Sequence, residues 1–286
     1  MRYETPTTTR EAAALLAKAK GEAFVLAGGT DLLVRMKSGL IEPDQIVDIK
    51  RIPATQSITK TATGFRVGAS VPGIEIGASA ALKKAWPGVV EATNLIGSDQ
   101  VQGRCTMVGN LCNASPAADS VPALVAAAAK VAVVGPKGRR TLAVEKVVTG
   151  PGKTSLTKGE IIESVTLPKR PPKSGDAYLR LIPRTEMDIA VVSAGVSLTL
   201  GPKGVIKAAR VALGAVAPTV VLVPDAAKAI IGSKLEPEAL AKLTAACEAA
   251  CNPIDDKRGT VEYRTEVAGV LARRAAKIAY ERAGGK

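Results

Sequence analysis

Val25-Leu-Ala-Gly-Gly-Thr-Asp-Leu32 decides how this chain is read. Three apolar residues of a short buried-type strand run into paired glycines, and a hydroxyl and a carboxylate then stand where a helical stretch begins. Glycine lets backbone N–H groups come close to a ligand, Thr30 can donate from its hydroxyl, and the start of a helix favours negative charge. Val25, Leu26, Ala27, Gly28, Gly29, Thr30, Asp31 and Leu32 therefore form a candidate diphosphate cradle. A tight turn without any ligand accounts for the same letters. The spacing is neither G-x-G-x-x-G nor G-K-[ST], so the loop is not a Rossmann fingerprint or a Walker loop.

Outward from this loop the pattern is mixed α and β. Thr9 is the expected N-cap of a helix carrying Leu15, Leu16 and Ala19 on one face, Ala23 to Ala27 is a strand, and Asp31 to Lys37 a second helical piece before a strand at Ile46–Ile49. Further strands are expected at Phe65–Ala69, Val131–Val134 and Ile161–Leu167, with one long Ala-rich helix from Ile74 to Trp86 closed by Pro87-Gly88. Lys169-Arg-Pro-Pro-Lys-Ser-Gly175 is the clearest linker. Beyond it lie strand-like runs at Ile189–Leu200 and Val205–Leu213, then helices at 224–231, 237–250 and 261–282. This gives an α+β reading with units at 1–55, 56–172 and 176–286.

A second candidate is Gln100-Val-Gln-Gly-Arg-Cys-Thr-Met-Val-Gly-Asn-Leu-Cys-Asn-Ala-Ser-Pro-Ala-Ala-Asp119. Thr106, Asn110, Asn113 and Ser115 supply small polar groups around Gly109, and Asp119 is a carboxylate able to accept from a ribityl or ribose hydroxyl. An irregular loop with a helix cap at Ser115 or Asp119 is the plainer reading.

Composition excludes several classes. The chain has no histidine, which removes Ser-His-Asp hydrolysis and histidine-based metal chemistry. Aromatics are 2% of residues against 47% hydrophobic, so the core must be built from Ala, Val, Leu and Ile, and few rings exist to stack bases. The net charge of +13 is scattered and reads as attraction to an anionic partner or a phosphate-bearing cofactor rather than as a nucleic-acid surface. Cys105, Cys112, Cys247 and Cys251 lack C-x-x-C spacing and are expected to be free thiols in a reducing compartment. The first twenty residues carry charges where a secretory signal needs an apolar run, and no stretch is long and apolar enough to span a bilayer, so a cytoplasmic protein is expected.

Taken together, Ala27-Gly-Gly-Thr-Asp31, Thr106-Met-Val-Gly-Asn-Leu111 and Asn113-Ala-Ser-Pro-Ala-Ala-Asp119 resemble the FAD-binding medium subunit of molybdenum hydroxylases, the group containing carbon monoxide dehydrogenase and xanthine dehydrogenase. The resemblance runs on through Gly159–Glu163, Arg184–Ala190, Arg210–Pro218, Asp256–Arg264 and Leu271–Ala275, and so covers nearly the whole chain. It implies a two-part FAD-binding domain of the vanillyl-alcohol-oxidase/PCMH type followed by a C-terminal domain with a three-stranded sheet and helices. It also implies that Val25–Leu32 wraps the FAD diphosphate and that Thr106, Met107, Val108, Gly109 and Asn110 contact the cofactor. Ser115 belongs to the same implied site, and Asp119 lies near the ribityl or ribose hydroxyls. Ile96, Ile162 and Arg180 are placed on the isoalloxazine side. Buried core is the competing account of Ile96 and Ile162, and a solvated strand position that of Arg180.

The implied function is electron transfer. A molybdenum cofactor on a large subunit oxidises the substrate, electrons cross two [2Fe-2S] clusters on a small subunit, and FAD in this chain reduces NAD, oxygen or a quinone, in a dimer of heterotrimers. No residue of this chain is then needed as acid, base or nucleophile, in keeping with the missing histidines. A free-standing FAD oxidase or reductase and a nonenzymatic basic adaptor are the alternatives. One departure stands out: Val108 occupies a position where the resembling family has glycine, and a β-branched residue does not comfortably take positive φ. With no cysteine between Asp119 and Ile162, the additional iron–sulfur cluster of some relatives is not expected.

Overall fold

Thr8 rather than Thr9 starts the first helix. In the computed structural model, which describes residues 1–285, β1 (Arg2–Glu4) leads into α1 (Thr9–Lys18), and the Thr8 hydroxyl accepts from the Glu11 N–H at 3.1 Å. Thr9 is instead buried and donates its hydroxyl to Glu163 at 2.8 Å. The chain then forms β2 (Ala23–Leu26), α2 (Leu32–Lys37) and β3 (Gln45–Asp48). β3 lies between β1 and β2, parallel to both. Parallel strands send their C-terminal loops to one edge, the usual place for a ligand in such sheets; here that edge carries Gly28 and Ile49.

The next segment comprises β4 (Ile58–Thr61), β5 (Gly64–Gly68), α3 (Gly73–Ala78), α4 (Ala80–Ala85), α5 (Pro87–Asn94), α6 (Asp99–Gln102), α7 (Met107–Cys112) and α8 (Ser120–Ala126). It continues with β6 (Lys130–Gly135), β7 (Gly138–Ala143), β8 (Val148–Gly150), β9 (Lys153–Thr154) and β10 (Ile161–Pro168). The single helix expected from Ile74 to Trp86 is broken. Ser79 is extended, at φ −74 and ψ 92, and its hydroxyl caps α4 by accepting from the Leu82 N–H. Pro87 opens α5 at its first position, where a missing N–H costs nothing, instead of closing a helix. Five strands pair antiparallel in the order β4-β5-β10-β6-β7. β10 is central and almost wholly buried. Its register against β6 shifts between Ile162 and Ser164, a bulge at Glu163. The Glu163 carboxylate accepts from Thr9 and from both terminal nitrogens of Arg139, at 2.6 and 2.9 Å.

The C-terminal segment has β11 (Ser174–Leu181), β12 (Val192–Leu200), β13 (Ile206–Gly214), β14 (Val221–Leu222), α9 (Pro224–Ile230), α10 (Pro237–Ala249) and α11 (Val261–Arg282). Three long antiparallel strands form the expected sheet, and the two-residue β14 adds a short fourth at its edge. β11, which begins inside the expected linker, is not evident from the sequence. Period-two alternation divides the sheet between two cores. Ala177, Ala194, Val196, Val211 and Leu213 pack with α9, α10 and α11 in one core, while Tyr178 and Ala212 turn to the core of the first two sheets.

That second face must accept α8 closely, and small residues permit it. A Cβ on Gly195 would stand 2.6 Å from the Pro122 carbonyl oxygen, and one on Gly214 would meet Ser193 Oγ at 2.5 Å and Pro122 Cγ at 2.8 Å. No helix among the described residues is long and apolar enough to cross a membrane. Gly195→Val should push α8 off β12, destabilising the protein by about 2–4 kcal/mol, the range for overpacking against a backbone that cannot move aside. A thermal melt indistinguishable from wild type would contradict this account of the seam.

Candidate dinucleotide cleft

The two glycine-containing loops meet. A Cβ on Gly28 would lie 2.1 Å from the Arg104 carbonyl oxygen and 3.0 Å from the Cys105 Cα, so only glycine lets the first loop rest on the backbone of the second. The Asn113 side-chain amide donates to Asp31 Oδ1 at 3.2 Å across the same junction. Behind them, the Gly73 N–H donates to the Cys105 carbonyl at 2.8 Å and fixes the second loop against α3.

Between the loops lies a cleft of about 270 Å³ lined by Val25, Ala27–Leu32, Ile96, Cys105, Thr106, Val108–Asn110, Cys112 and Asn113. Ala23, Phe24, Arg35, Ile49, Leu156, Glu160, Ile161 and Ile162 complete it. Ile161 and Ile162, the first two residues of β10, both line the cleft, just before the bulge at Glu163. A site that buries a drug-sized ligand usually measures about 300–1,000 Å³, so this cleft stands near the lower end of that range.

The walls suit an anion. Among the described residues, the N–H groups of Gly28, Gly29, Thr30, Asp31 and Leu32 donate to no backbone acceptor, and neither do those of Met107 and Val108 at the start of α7. Gly29 sits at φ +80, the left-handed turn that releases these groups. Thr106 holds α7 in place as its N-cap, its hydroxyl accepting from the Gly109 N–H at 2.9 Å. Val108 lies within α7 and is absent from the positive-φ residues, so the expected conflict between its branched side chain and the backbone does not arise.

Asn110 Oδ1 accepts from both the N–H and the hydroxyl of Ser120, at 3.1 and 2.7 Å, which ties the cleft wall to α8. Charged groups on the walls are Asp31, Arg35 and Glu160. Desolvation raises the pKa of Asp31, with Arg35 opposing. Glu160 is held at about 2, chiefly by the paired hydrogen bonds from Arg140 at 2.7 and 2.8 Å. Burial pushes the thiols of Cys105 and Cys112 up to about 11 and about 12, so both are neutral at ordinary pH.

Five of the expected site residues do not line this cleft. Leu26 and Met107 are buried in the core. Ser115 accepts from the Ala117 N–H at 3.2 Å in its own turn. Asp119 and Arg180 bind each other at 2.8 Å, and Tyr178 donates to the other oxygen of Asp119 at 3.0 Å. Arg180 is thus no solvated strand residue, since only 6% of its side chain is exposed. Burial raises the pKa of Asp119 against the opposing pull of Arg180 and Tyr178. Sequence reasoning missed Ala23, Phe24, Arg35, Ile49, Leu156, Glu160 and Ile161 on the walls; Arg35 carried a signal, one helical turn beyond Asp31.

Residues 1–170 match the family described as the FAD binding domain in molybdopterin dehydrogenase, and residues 177–279 match the CO dehydrogenase flavoprotein C-terminal domain. The chain belongs to this flavoprotein family. It is 33% identical to the carbon monoxide dehydrogenase medium chain of Afipia carboxidovorans over 98% of its own length and 97% of the relative's. It is 27% identical to the xanthine dehydrogenase FAD-binding subunit of Escherichia coli O157:H7, over 99% and 97% of the two chains. A solved structure of reconstituted CO dehydrogenase from Oligotropha carboxidovorans superposes with a TM-score of 0.94 at 33% identity, covering 99% of this chain and 98% of that one. Membership in a flavoprotein family explains the glycine junction and the unspent N–H groups as parts of an FAD-binding domain.

Two outcomes follow. Gly28→Val should separate the loops and lower FAD affinity about a hundredfold, the scale of roughly 3 kcal/mol of lost contacts. Gly150→Ala, whose Cβ would meet nothing within 4 Å, should leave it unchanged; fluorescence titration with FAD compares the two. Glu160 has a folded pKa below its ordinary 4.5, so its pairing with Arg140 stabilises the protein above that value and is lost as pH falls toward about 2. In Arg140→Ala this increment should vanish from acid-unfolding curves, and curves that overlay wild type between those limits would refute it.

Proposed function

We propose that this chain is the FAD-bearing electron-transfer subunit of a molybdenum-dependent hydroxylase or dehydrogenase. In that assembly it takes electrons from two [2Fe-2S] clusters on a small partner and passes them to an external acceptor such as NAD, oxygen or a quinone. A large partner carries the molybdenum cofactor and oxidises the organic substrate. The carrying observation is the convergence of unspent backbone N–H groups from two distant loops on one cleft, in a chain matched end to end by medium and FAD-binding subunits.

When bound, the flavin supplies the redox chemistry. The residues of this chain supply its position. Gly28, Gly29, Thr30, Asp31 and Leu32, with Met107 and Val108, would hold the diphosphate through their N–H groups. Ile96, Ile161, Ile162 and Leu156 would exclude water from the apolar end. Ser115, Asp119 and Arg180, assigned to the cofactor by resemblance, would act from outside the cleft walls. Asp119 and Arg180 would do so by bracing the second loop on β11. Division of the chain into 1–55, 56–172 and 176–286 belongs to the same proposal, supported by one core drawn from residues before Lys169–Gly175 apart from Tyr178 and Ala212, and a second drawn wholly from residues after it. A cytoplasmic location is in keeping with four free cysteines, and the assembly proposed there is a dimer of heterotrimers.

The purified chain should be yellow with one FAD and inert toward organic substrates by itself. Mixing it anaerobically with its pre-reduced [2Fe-2S] partner should bleach the flavin absorbance. A colourless chain that takes up no FAD, or a flavin that stays oxidised beside the reduced clusters, would defeat the proposal.

A further inference from the structure

Arg35 is the one cation lining the cleft among the described residues; the other charged groups on its walls are Asp31 and Glu160. Glu160 already has its countercharge in Arg140. Asp31 has none in bonding contact: its Oδ1 accepts from the Asn113 amide, and Arg35 acts on it only through the field between them. The Arg35 guanidinium is likewise unspent. Among the described residues it donates to no carboxylate or carbonyl, and it lies over the Phe24 ring, 6.0 Å from the centroid. Phe24 lines the cleft too. A guanidinium that rests its face on an aromatic ring keeps its N–H edge free, and that edge is what grips phosphate oxygens in pairs.

We infer that Arg35, steadied on the Phe24 ring, is the ionic ligand of the FAD diphosphate in this chain, adding charge to a cradle otherwise made of neutral N–H groups. The inference rests on FAD occupying the cleft. Position supports it: Arg35 stands one turn beyond Asp31 on α2, and helical side chains lean toward the N-terminal end, so the guanidinium is carried back toward the loop Gly28–Leu32 whose N–H groups are unspent. A rise of about 1.5 Å per residue sets the Arg35 Cα about 5–6 Å along the axis from the amides of Asp31 and Leu32, which the long side chain spans. Charge supports it as well. With Arg35 present, the two unpaired charges of the wall cancel. Without it, the Asp31 carboxylate faces the diphosphate unopposed, and like charges brought together are unfavourable.

The test is the FAD affinity of the purified full chain, stripped of flavin and titrated by fluorescence over a range of salt concentrations. Arg35→Ala should weaken binding about tenfold to a hundredfold at low salt, the range for losing a hydrogen bond to a charged group. The gap to wild type should narrow at high salt, where screening weakens the exposed ion pair in the wild-type chain. Arg35→Lys keeps the charge without the fork and should recover part of the loss. Because Arg35 is exposed and bonds to no acceptor, the flavin-free Arg35→Ala chain should melt with wild type, which separates a binding defect from an unfolding one. Equal affinities of Arg35→Ala and wild type at low salt overturn the inference. So does a loss that is constant with salt and unrelieved by lysine, which would make Arg35 a packing residue. Phe24→Leu costing more than Arg35→Ala overturns it too, by giving the contact to the ring. A wild-type chain that takes up no FAD defeats the reading of the cleft itself, and the wild-type titration alone reveals that failure.

Discussion

Backbone rests on backbone where Gly28 meets Arg104 and Cys105, and the candidate site exists because of that contact. Two loops far apart in sequence can present their N–H groups to one volume only if nothing stands between them. Any side chain at Gly28 would occupy the space of the Arg104 carbonyl. The rest of the first two sheets is arranged around this junction. Parallel pairing of β2 with β3 brings the first loop to the sheet edge, and the bond from Gly73 to Cys105 holds the second loop under it. Thr106 then directs α7 so that its first N–H groups point the same way.

The same economy of side chains recurs between the two cores. Gly195 and Gly214 let α8 lie directly on the C-terminal sheet, and Ser120 at the start of α8 fixes Asn110 in the cleft wall. A chain with few aromatic residues packs by such close approach: small residues bring main chains together, and branched aliphatics fill what remains.

Much of this was legible in the residues. The first loop was readable because two glycines after an apolar strand constrain the backbone locally, and α11 because its apolar period persists from Val261 to Arg282. What escaped the sequence depends on distant partners. The break at Ser79 inside an Ala-rich run comes from extended backbone that helix propensity opposes, and β11 is a strand because β12 pairs with it, not because Ser174–Leu181 alternates cleanly. In the site, the two loops and the positions of Ile96 and Ile162 on one cleft were anticipated. Glu160 and Leu156 were not, since only the folding of β10 beside the first loop brings them there. Asp119 and Arg180 were anticipated as polar groups, but their engagement with each other is a tertiary fact that no local pattern encodes.

The triad of Asp119, Tyr178 and Arg180 has a thermodynamic corollary. It fastens the loop that precedes α8 to β11, and the neighbouring Ser120 bonds Asn110 in the wall of the cleft, so the wall and the C-terminal sheet are joined through consecutive residues. To the extent that the ordered wall depends on that junction, a ligand that favours the wall also favours the docked sheet, because linkage is reciprocal. Lesions deep in the C-terminal half would therefore surface first as a leaky prosthetic group, and saturation of the cleft would heal packing faults tens of residues away.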